Sequence, residues 1–201
     1  MHISEGVLSG SVLISGGVLA AAGTAIGLKK LDYDRIAHVS ILSASFFVAS
    51  LIHVPVGPSN VHLVLNGVLG LLLGWAAFPA ILIALTLQAV IFQFGGITSL
   101  GVNTIIMATP AVICHYMFSP MIWEKPLLSW VSGFASGFFA VFMSAILVGI
   151  ALMSTDENFL EISSLVVITH TPIMVIEGII TAFFITFLKK VQPSMLPGFS
   201  P

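Results

Sequence analysis

Charged side chains are scarce in this sequence. Only 7% of its 201 residues are Asp, Glu, Lys or Arg, whereas an ordinary soluble domain has about 25%. A soluble domain of this length needs more charge on its surface, so the composition excludes one. Apolar residues are abundant instead, at 58% of the chain. This balance indicates an integral membrane protein with nearly all of its length in or against the lipid bilayer.

Cysteine is almost absent, and the common motifs of hydrolases are missing. The single Cys114 excludes an internal disulfide and a thiolate cage around a metal ion, and a small buried apolar residue is its ordinary role. There is no HExxH motif, no Walker A loop and no GxSxG motif. Any ATP-driven activity therefore requires a partner. A signal peptide is not predicted either, because no basic residue precedes the first apolar run.

The apolar runs predict an all-α integral membrane protein with seven transmembrane helices, which form a single domain over residues 1–201. A helix needs about 20 apolar residues to cross a bilayer. The predicted spans are residues 6–28, 36–52, 61–78, 79–94, 102–118, 127–153 and 162–188. We expect the third and fourth to form a tight hairpin broken at Phe78-Pro79, because proline ends the helix before it. Six spans are the alternative, if the first segment only dips into the membrane.

All six basic residues fall on one side of a seven-span arrangement. They are Lys29, Lys30, Arg35, Lys125, Lys189 and Lys190. The positive-inside rule makes that side cytoplasmic. We therefore expect a multi-pass protein of the inner cell membrane, with its N-terminus outside and its C-terminus in the cytoplasm. The acidic loop of residues 154–161 is then outside.

The first ten residues, MHISEGVLSG, contain a candidate metal-binding group. The free amine of Met1, the amide nitrogen of residue 2 and Nδ1 of His2 can close two fused chelate rings around one metal ion. Three nitrogens then lie in a plane and a fourth position stays open. Such a donor set suits Ni(II) or Cu(II) and fits Zn(II) poorly, because Zn(II) prefers a tetrahedron. The alternative is that His2 is simply a residue near a disordered terminus.

A histidine-bearing loop is the candidate source of a fourth nitrogen. Residues 53–67 read HVPVGPSNVHLVLNG, with two prolines and a glycine in the loop proper. We expect His62 to open the next helix, and a stiff loop that ends in an imidazole can direct its nitrogen at the metal. His53, at the other end of the loop, can face either the pocket or the membrane surface.

A second irregular stretch, residues 93–103, reads QFGGITSLGVN and also falls on the outer side. Its glycines permit non-helical backbone, which at membrane depth is tolerated only where protein buries it or where it lines a cavity. Asn103 or the hydroxyls of Thr98 and Ser99 can hold the N-terminal segment or a ligand imidazole by hydrogen bonds. An ordinary glycine-rich turn is the alternative.

One carboxylate, that of Glu177, lies deep in a predicted span, and an ionisable group inside a membrane is a functional candidate. His170 lies seven residues earlier, about two helical turns away on the same face. The pair forms either a proton relay or two separate polar contacts to neighbouring helices. Separate contacts are favoured, because nothing else in the sequence continues a polar path.

Small residues recur at a spacing of four in two predicted spans, where they let helices approach closely in lipid. In the first span the row is Gly17, Ala21 and Ala25, with Gly16 and Ala20 beside it. This row either packs within the chain or docks a second membrane subunit. In the sixth span, Gly133 and Gly137 predict internal packing.

Four motifs, in order along the chain, are similar to those of one transporter family. MHISEGVLSG resembles MHIPDGFLSP, VPVGPSNVHLVLNG resembles FPVPGGTSGHLLGG, and FGGITSLGVNTIIM resembles DGGLTALGANIFNM. The stretch HTPIMVIEGIITAFFITFLKKVQPSML resembles the last helix and tail. The family is that of the substrate-binding components of cobalt and nickel energy-coupling-factor transporters, CbiM and NikM. The resemblance covers essentially the whole chain.

The resemblance implies a seven-helix component whose N-terminal segment tucks into the protein from outside. It implies that Ni(II) or Co(II) is the transported substrate, with no organic cofactor. The implied donors are the amine of Met1, the amide nitrogen and imidazole of His2, and the imidazole of His62, with Asn103 beside the site. The implied partners are an ATPase pair, a transmembrane coupling subunit and often a small accessory membrane protein.

Three differences from the family pattern bear on the choice of metal. Ser4-Glu5 replaces Pro-Asp, Val61-His62 replaces Gly-His after a loop that is one residue shorter, and His53 stands where the family has Asn. A valine beside the ligand narrows the pocket, and His53 is a candidate for an extra ligand or an external capture site. The chelate stays intact, and the preference between nickel and cobalt stays open.

The sequence therefore predicts a membrane-embedded capture subunit of an ATP-driven importer, which is not itself an enzyme. Its affinity for metal should fall as pH falls, because protons compete for every donor nitrogen. A proton-coupled secondary transporter that uses His170 and Glu177 is the main alternative. An intramembrane metalloenzyme is a weaker one, since four protein nitrogens in a plane leave no in-plane position for an activated water.

Overall fold

The computed structural model describes residues 2–56 and 59–199, and this part of the chain is mainly helical. Its α-helices are α1 (Gly10–Lys29), α2 (Ile36–Ala49), α3 (Asn66–Leu73), α4 (Ala77–Phe92), α5 (Leu100–Phe118), α6 (Pro126–Met153) and α7 (Leu160–Val191). Short 3-10 helices cover Tyr33–Arg35, Gly74–Ala76, Ser119–Trp123, Glu157–Phe159 and Pro193–Met195. Between α2 and α3, strands β1 (His53–Val56) and β2 (Ser59–His62) form an antiparallel pair with His53 opposite His62.

Five helical stretches are long and apolar enough to cross a membrane. They are Gly10–Lys29, Asn66–Phe92, Leu100–Trp123, Pro126–Met153 and Leu160–Val191. Large apolar side chains such as Ile14, Leu127 and Ile168 are exposed on these helices, a surface that suits lipid and not water. Helix α2 has 14 residues, fewer than the roughly 17–25 of a typical membrane helix. The chain is a multi-pass membrane protein.

The turn between α3 and α4 lies at Gly74, and the prediction of a break at Phe78-Pro79 is wrong. Gly74 has a φ of 53°, a left-handed conformation that suits glycine because it has no Cβ. Pro79 lies in the first turn of α4. An N–H in the first turn of a helix has no intrahelical partner, so proline is tolerated there.

Helix α3 lies at the centre of the bundle and is buried over residues 66–72. It runs alongside α5 in the same direction, because Gly70 and Gly74 lie against Ala111 and His115, in the same order along both segments. Helix α4 then returns, and Gln88 near its end reaches the N-terminal segment. These two helices therefore form a hairpin whose closed end lies far from that segment.

The third predicted span begins too early, and the prediction that His62 opens a helix is wrong. His62 ends strand β2, residues 63–65 have no regular structure, and helix α3 begins only at Asn66. Leu65 has a left-handed φ of 54°. The backbone N–H groups of residues 64 and 65 are donated to the carboxylate of Glu177. The apolar pattern predicted a helix over these residues. Their backbone is instead non-helical, and a carboxylate on a distant helix accepts its hydrogen bonds.

Glycines bring α6 close to α7, which confirms the predicted internal packing. A Cβ added to Gly133 would lie 2.8 Å from the Cα of Ala182, and one added to Gly137 would lie 2.6 Å from Oγ1 of Thr181. Both distances are too short for ordinary contact, so neither position admits a larger residue without displacing α7.

The small residues of α1 pack in a register that differs from the predicted one. The buried positions are Gly16, Ala20, Gly23 and Gly27. The predicted row of Gly17, Ala21 and Ala25 is exposed. A neighbouring row of the same helix therefore packs within the chain, the backbone of Gly17 lies against Gly101, and Ala21 and Ala25 are available to a partner or to lipid.

Candidate metal centre

Two imidazoles that are 60 residues apart in the sequence meet at one point. His2 lies in the extended segment before α1, and His62 ends strand β2. Nδ1 of His2 is 3.0 Å from Nε2 of His62, and the ring centroids are 4.7 Å apart with the planes tilted by 34°. His62 is buried, with 8% of its surface exposed. The fold thus brings together two of the histidines that the sequence nominated.

The other nitrogen of each ring is occupied by an oxygen acceptor. Nδ1 of His62 donates to the carbonyl of Leu63 at 2.8 Å, since a carbonyl can only accept. Nε2 of His2 donates to Oε1 of Gln88 at 2.8 Å. When both rings are neutral, each carries one proton, and the two nitrogens that face each other then both carry lone pairs. Metal-binding histidines characteristically donate their other N–H to a carbonyl or carboxylate in this way.

The distance between the facing nitrogens can be compared with the distances expected for two imidazoles on one ion. Two imidazole nitrogens at about 2.0–2.1 Å from one ion lie about 2.8–3.0 Å apart at a right angle, and about 3.3–3.4 Å apart at a tetrahedral angle. The observed 3.0 Å matches the right angle. Planar and octahedral ions have such angles, and tetrahedral Zn(II) does not.

Burial keeps the His2 ring neutral. It lowers the pKa of His2 from 6.5 to about 3, because the charged form loses its hydration. At neutral pH the ring therefore retains its lone pair, and a metal ion does not have to displace a proton from an imidazolium.

The N-terminal segment is held at its third residue. The amide of Ile3 donates to Oδ1 of Asn103 at 3.0 Å, and the carbonyl of Ile3 accepts from Nδ2 of Asn103 at 3.1 Å and from Oγ of Ser99 at 2.9 Å. Ile3 itself is 5% exposed. The start of α5 and the glycine-rich loop before it thereby fix the backbone that follows His2.

Glu5 adds a second attachment to the same loop. Its backbone N–H donates to the carbonyl of Gly95 at 3.2 Å, and its Oε1 accepts from the backbone N–H of Thr98 at 3.3 Å. Thr98 thus contacts the segment through its backbone N–H and not through its hydroxyl, which was one of the candidate groups. The close fit of the segment explains why the loop is rich in glycine: a Cβ on Gly95 would lie 2.9 Å from Nδ2 of Asn103.

Two nominated residues lie outside this description. Met1 is outside the described residues, and so is the side chain of His53, whose backbone pairs with His62. Within residues 2–56 and 59–199, no group of three His, Cys, Asp or Glu side chains is placed to hold a metal ion. Within that described part, a third donor to an ion between His2 and His62 is therefore not supplied by the side chain of another His, Cys, Asp or Glu residue.

Sequence reasoning missed Gln88, the residue that orients His2. Its side chain is 0% exposed. All other buried side chains of helix α4 are apolar. One buried amide in an apolar span was the available signal, because polar groups in lipid require a partner. The partner was not evident, since it lies 86 residues away in the sequence.

His170 and Glu177 make separate contacts. Nδ1 of His170 donates to the carbonyl of Val166 in its own helix at 2.7 Å. The carboxylate of Glu177 accepts from the backbone of residues 64 and 65. The described residues contain no hydrogen bond between the two side chains.

Known proteins are similar to this chain over nearly its whole length. The family described as the cobalt uptake substrate-specific transmembrane region, CbiM, matches residues 2–195. A Haemophilus influenzae protein whose name describes metal transport is 44% identical over 199 residues, which are 98% of this chain and 97% of that protein. The cobalt transport protein CbiM of Kyrpidia tusciae is 30% identical over 220 residues, with 98% of this chain and 86% of that protein covered.

A solved structure shares the fold. It is described as the crystal structure of a transition metal transporter and matches with a TM-score of 0.76 at 26% identity, over 95% of this chain and 93% of that one.

Proposed function

Because the chain belongs to the CbiM family of cobalt-uptake transmembrane regions, we propose that it captures Ni(II) or Co(II) outside the cell for an ATP-driven importer of the energy-coupling-factor type. The chain is a transmembrane component of cobalt or nickel uptake, and its named relatives are transport proteins. In this proposal the metal ion is the substrate, and the chain itself catalyses no reaction.

The observation that carries the proposal is the pair of lone-pair nitrogens, Nδ1 of His2 and Nε2 of His62, at 3.0 Å. A cation between them would relieve the repulsion of two electron pairs. The oxygen acceptors at the two outer nitrogens keep both rings in the tautomer that a metal needs.

We propose that the remaining donors are the amine of Met1 and the amide nitrogen of residue 2. With Nδ1 of His2 these form two fused chelate rings, and His62 completes a planar set of four nitrogens. This set suits Ni(II) and fits Zn(II) poorly. It leaves no in-plane position for a reacting water, which suits capture better than catalysis. Binding releases protons from the amine and amide, so affinity should fall with pH.

The proposed topology has seven crossings, with the N-terminus outside and the C-terminus in the cytoplasm. Five crossings follow from length and composition when α3 and α4 count as one stretch. The opposite directions of α3 and α4 divide that stretch into two, and α2 supplies the seventh. Cysteine at Glu157 should react with an impermeant thiol reagent from outside intact cells, and cysteine at Lys125 should not, in a Cys114→Ala background. Equal labelling would contradict this topology.

Partners are part of the proposal, because the sequence has no nucleotide site. An ATPase pair, a transmembrane coupling subunit and a small accessory membrane subunit would supply energy and the remaining transport machinery. The exposed small residues Ala21 and Ala25 on α1 are a surface on which a helix of a coupling subunit can approach closely.

A proton-coupled transporter that uses His170 and Glu177 is the alternative, and the geometry supports it less well. The Glu177 carboxylate already binds two backbone N–H groups, and the His170 ring binds its own helix. Uptake of radioactive nickel into proteoliposomes separates the two. An importer with its partners requires ATP, whereas a secondary transporter works without them and stops when a protonophore collapses the proton gradient.

The position of the free amine provides the main test. One alanine added before Met1 should lower Ni(II) affinity by more than about 100-fold, because the amine leaves the five-membered chelate ring while the fold stays intact. One alanine added after Pro201 is the matched control and should leave affinity unchanged. Isothermal titration of the purified proteins measures both. Native affinity in the N-terminally extended protein would place the site elsewhere.

A further inference from the structure

Glu177 is buried at the centre of α7, and its carboxylate faces the backbone that follows His62. The residue is 0% exposed. Oε1 accepts a short hydrogen bond from the N–H of Val64, and both carboxylate oxygens lie 3.0 Å from the N–H of Leu65. The helix that supplies the carboxylate is 112 residues away from this backbone in the sequence.

The backbone at residues 63–65 needs such an acceptor. It connects strand β2 to helix α3 without regular structure, and Leu65 adopts a left-handed φ of 54°. Val64 is 1% exposed. A buried N–H without a partner costs several kcal/mol in an apolar medium, and irregular backbone at membrane depth persists only where protein satisfies it. Glu177 meets this requirement for two consecutive N–H groups.

A single peptide unit joins this carboxylate to the His62 ring. The N–H of Val64 and the carbonyl of Leu63 belong to the same peptide group, which is planar and rigid. Glu177 holds the N–H end of that plane, and the carbonyl end accepts from Nδ1 of His62 at 2.8 Å. The direction of the carboxylate therefore sets the direction of the carbonyl, and the carbonyl sets the orientation of the imidazole.

We propose that Glu177 is a positioning residue for the metal centre, acting through the Leu63–Val64 peptide to aim Nε2 of His62 at the ion. This inference rests on the proposed function, since it assumes that His62 is a donor. It assigns the intramembrane carboxylate to ligand geometry and not to proton transfer.

The test compares Glu177→Ala with a control on the same helix. Thr181→Val is one turn further along α7, is equally buried at 0% exposure, and has an Oγ1 with no partner among the described residues. Glu177→Ala should lower Ni(II) affinity about 10–100-fold, the range typical of groups that orient metal ligands. Thr181→Val should change it less than about 3-fold. Glu177→Gln keeps one acceptor oxygen and should lose less than alanine does, and it replaces the alanine variant if that variant does not fold.

Two readouts separate positioning from a general loss of structure. X-ray absorption should count two imidazoles on Ni(II) in the unmodified protein and one in His62→Ala, and Glu177→Ala should keep the second imidazole with a longer or more disordered Ni–N distance. In a double-mutant cycle, Glu177→Ala should cost less than about 2-fold in the His62→Ala background, because its effect passes through His62. An equal cost in both backgrounds would show a structural role alone and overturn the inference.

The possible failures are distinguishable. If the unmodified protein binds neither Ni(II) nor Co(II), the proposed function falls and this inference falls with it. If the unmodified protein binds Ni(II), His62→Ala does not, and both Glu177 variants bind like the control, the inference alone is overturned.

Discussion

The two ends of the helical bundle differ in whether the chain's own Lys and Arg side chains bind the electron-pair donors there. At the end that the proposed topology places outside the cell, the outer end, the ring nitrogens of His2 and His62 face each other at 3.0 Å. All six Lys and Arg residues lie at the other end, in the last turn of α1, in the α1–α2 and α5–α6 connections, or in the last turn of α7.

At the inner end, these cations bind carbonyl oxygens. Nζ of Lys189 donates to the carbonyls of Ile122 and Glu124 at 2.7 and 3.0 Å, and the Arg35 guanidinium donates to the carbonyl of Met195 at 2.9 Å. Helix ends leave carbonyls without intrahelical partners, and the chain satisfies these with its own positive charge.

This difference between the two ends indicates where a divalent metal ion from solution can bind. At the inner end, the carbonyls named above already accept hydrogen bonds from Lys189 and Arg35, so a metal ion would bind there only weakly. At the outer end, the groups that bind the two rings and the backbone of Ile3 are neutral amides, hydroxyls and carbonyls, which fix orientation without contributing positive charge. A divalent ion from solution can supply the positive charge that Lys and Arg supply at the inner end.

Removing a proposed metal donor at the outer end should have the largest effect on Ni(II) affinity. His62→Ala should lower Ni(II) affinity by more than the roughly 100-fold upper range for supporting residues, because one of four donors is lost outright. His53→Ala, at the residue that pairs with His62 across the two strands, should cost far less. Isothermal titration and magnetic measurement report both, since Ni(II) in a planar field of four nitrogens is diamagnetic. A His62→Ala protein with native affinity and diamagnetic Ni(II) would remove His62 from the site.

Removing an orienting group should have a smaller effect. Gln88→Leu deletes the acceptor for Nε2 of His2 and should lower Ni(II) affinity about 10–100-fold while the donors remain. Thr86→Val is the control on the same helix, because its hydroxyl is exposed and binds only the carbonyl of Leu82. Competition with a chromogenic chelator measures both variants. Similar losses in the two would mean that the His2–Gln88 hydrogen bond does not support binding.

Removing an inner cation should affect stability and not metal binding. Lys189→Met deletes two charge-assisted hydrogen bonds at the inner end and should lower the free energy of unfolding by about 1–3 kcal/mol. Its effect on Ni(II) affinity should stay below about 2-fold. Lys190→Met, at the exposed neighbouring position, should change neither quantity. Thermal unfolding in detergent and calorimetric titration decide it, and a large loss of affinity in Lys189→Met would show that the two ends are coupled.

The sequence predicted the helices better than the backbone between them. Six of the seven predicted spans correspond to helices, because long apolar runs in lipid have few alternatives to helical hydrogen bonding. The third span failed at residues 61–65, where the run is just as apolar. There the backbone is satisfied by a strand partner and by Glu177, and an apolar pattern carries no sign of an acceptor on another helix.

The turn at Gly74 shows the same limit on a smaller scale. Proline at position 79 is a stronger breaker by sequence, yet it falls in the first turn of a helix, where no hydrogen bond is lost. Which of two neighbouring breakers ends a helix depends on where the chain must reverse to pack against α5, and that is a tertiary requirement.

The sequence by itself determined that this is a membrane protein, where most of its helices lie, the family it belongs to, and that His2 and His62 are the imidazoles to compare. Composition, apolar run length and motif order are properties of the linear sequence, so they can be determined without knowing which residues contact each other. Only the tertiary structure decided that these two nitrogens lie 3.0 Å apart, that Gln88 orients one ring, and that Glu177 braces the backbone beside the other. Such contacts join residues about 60 to 113 positions apart, and the close packing of α3 against its neighbours, not any local preference, brings them together.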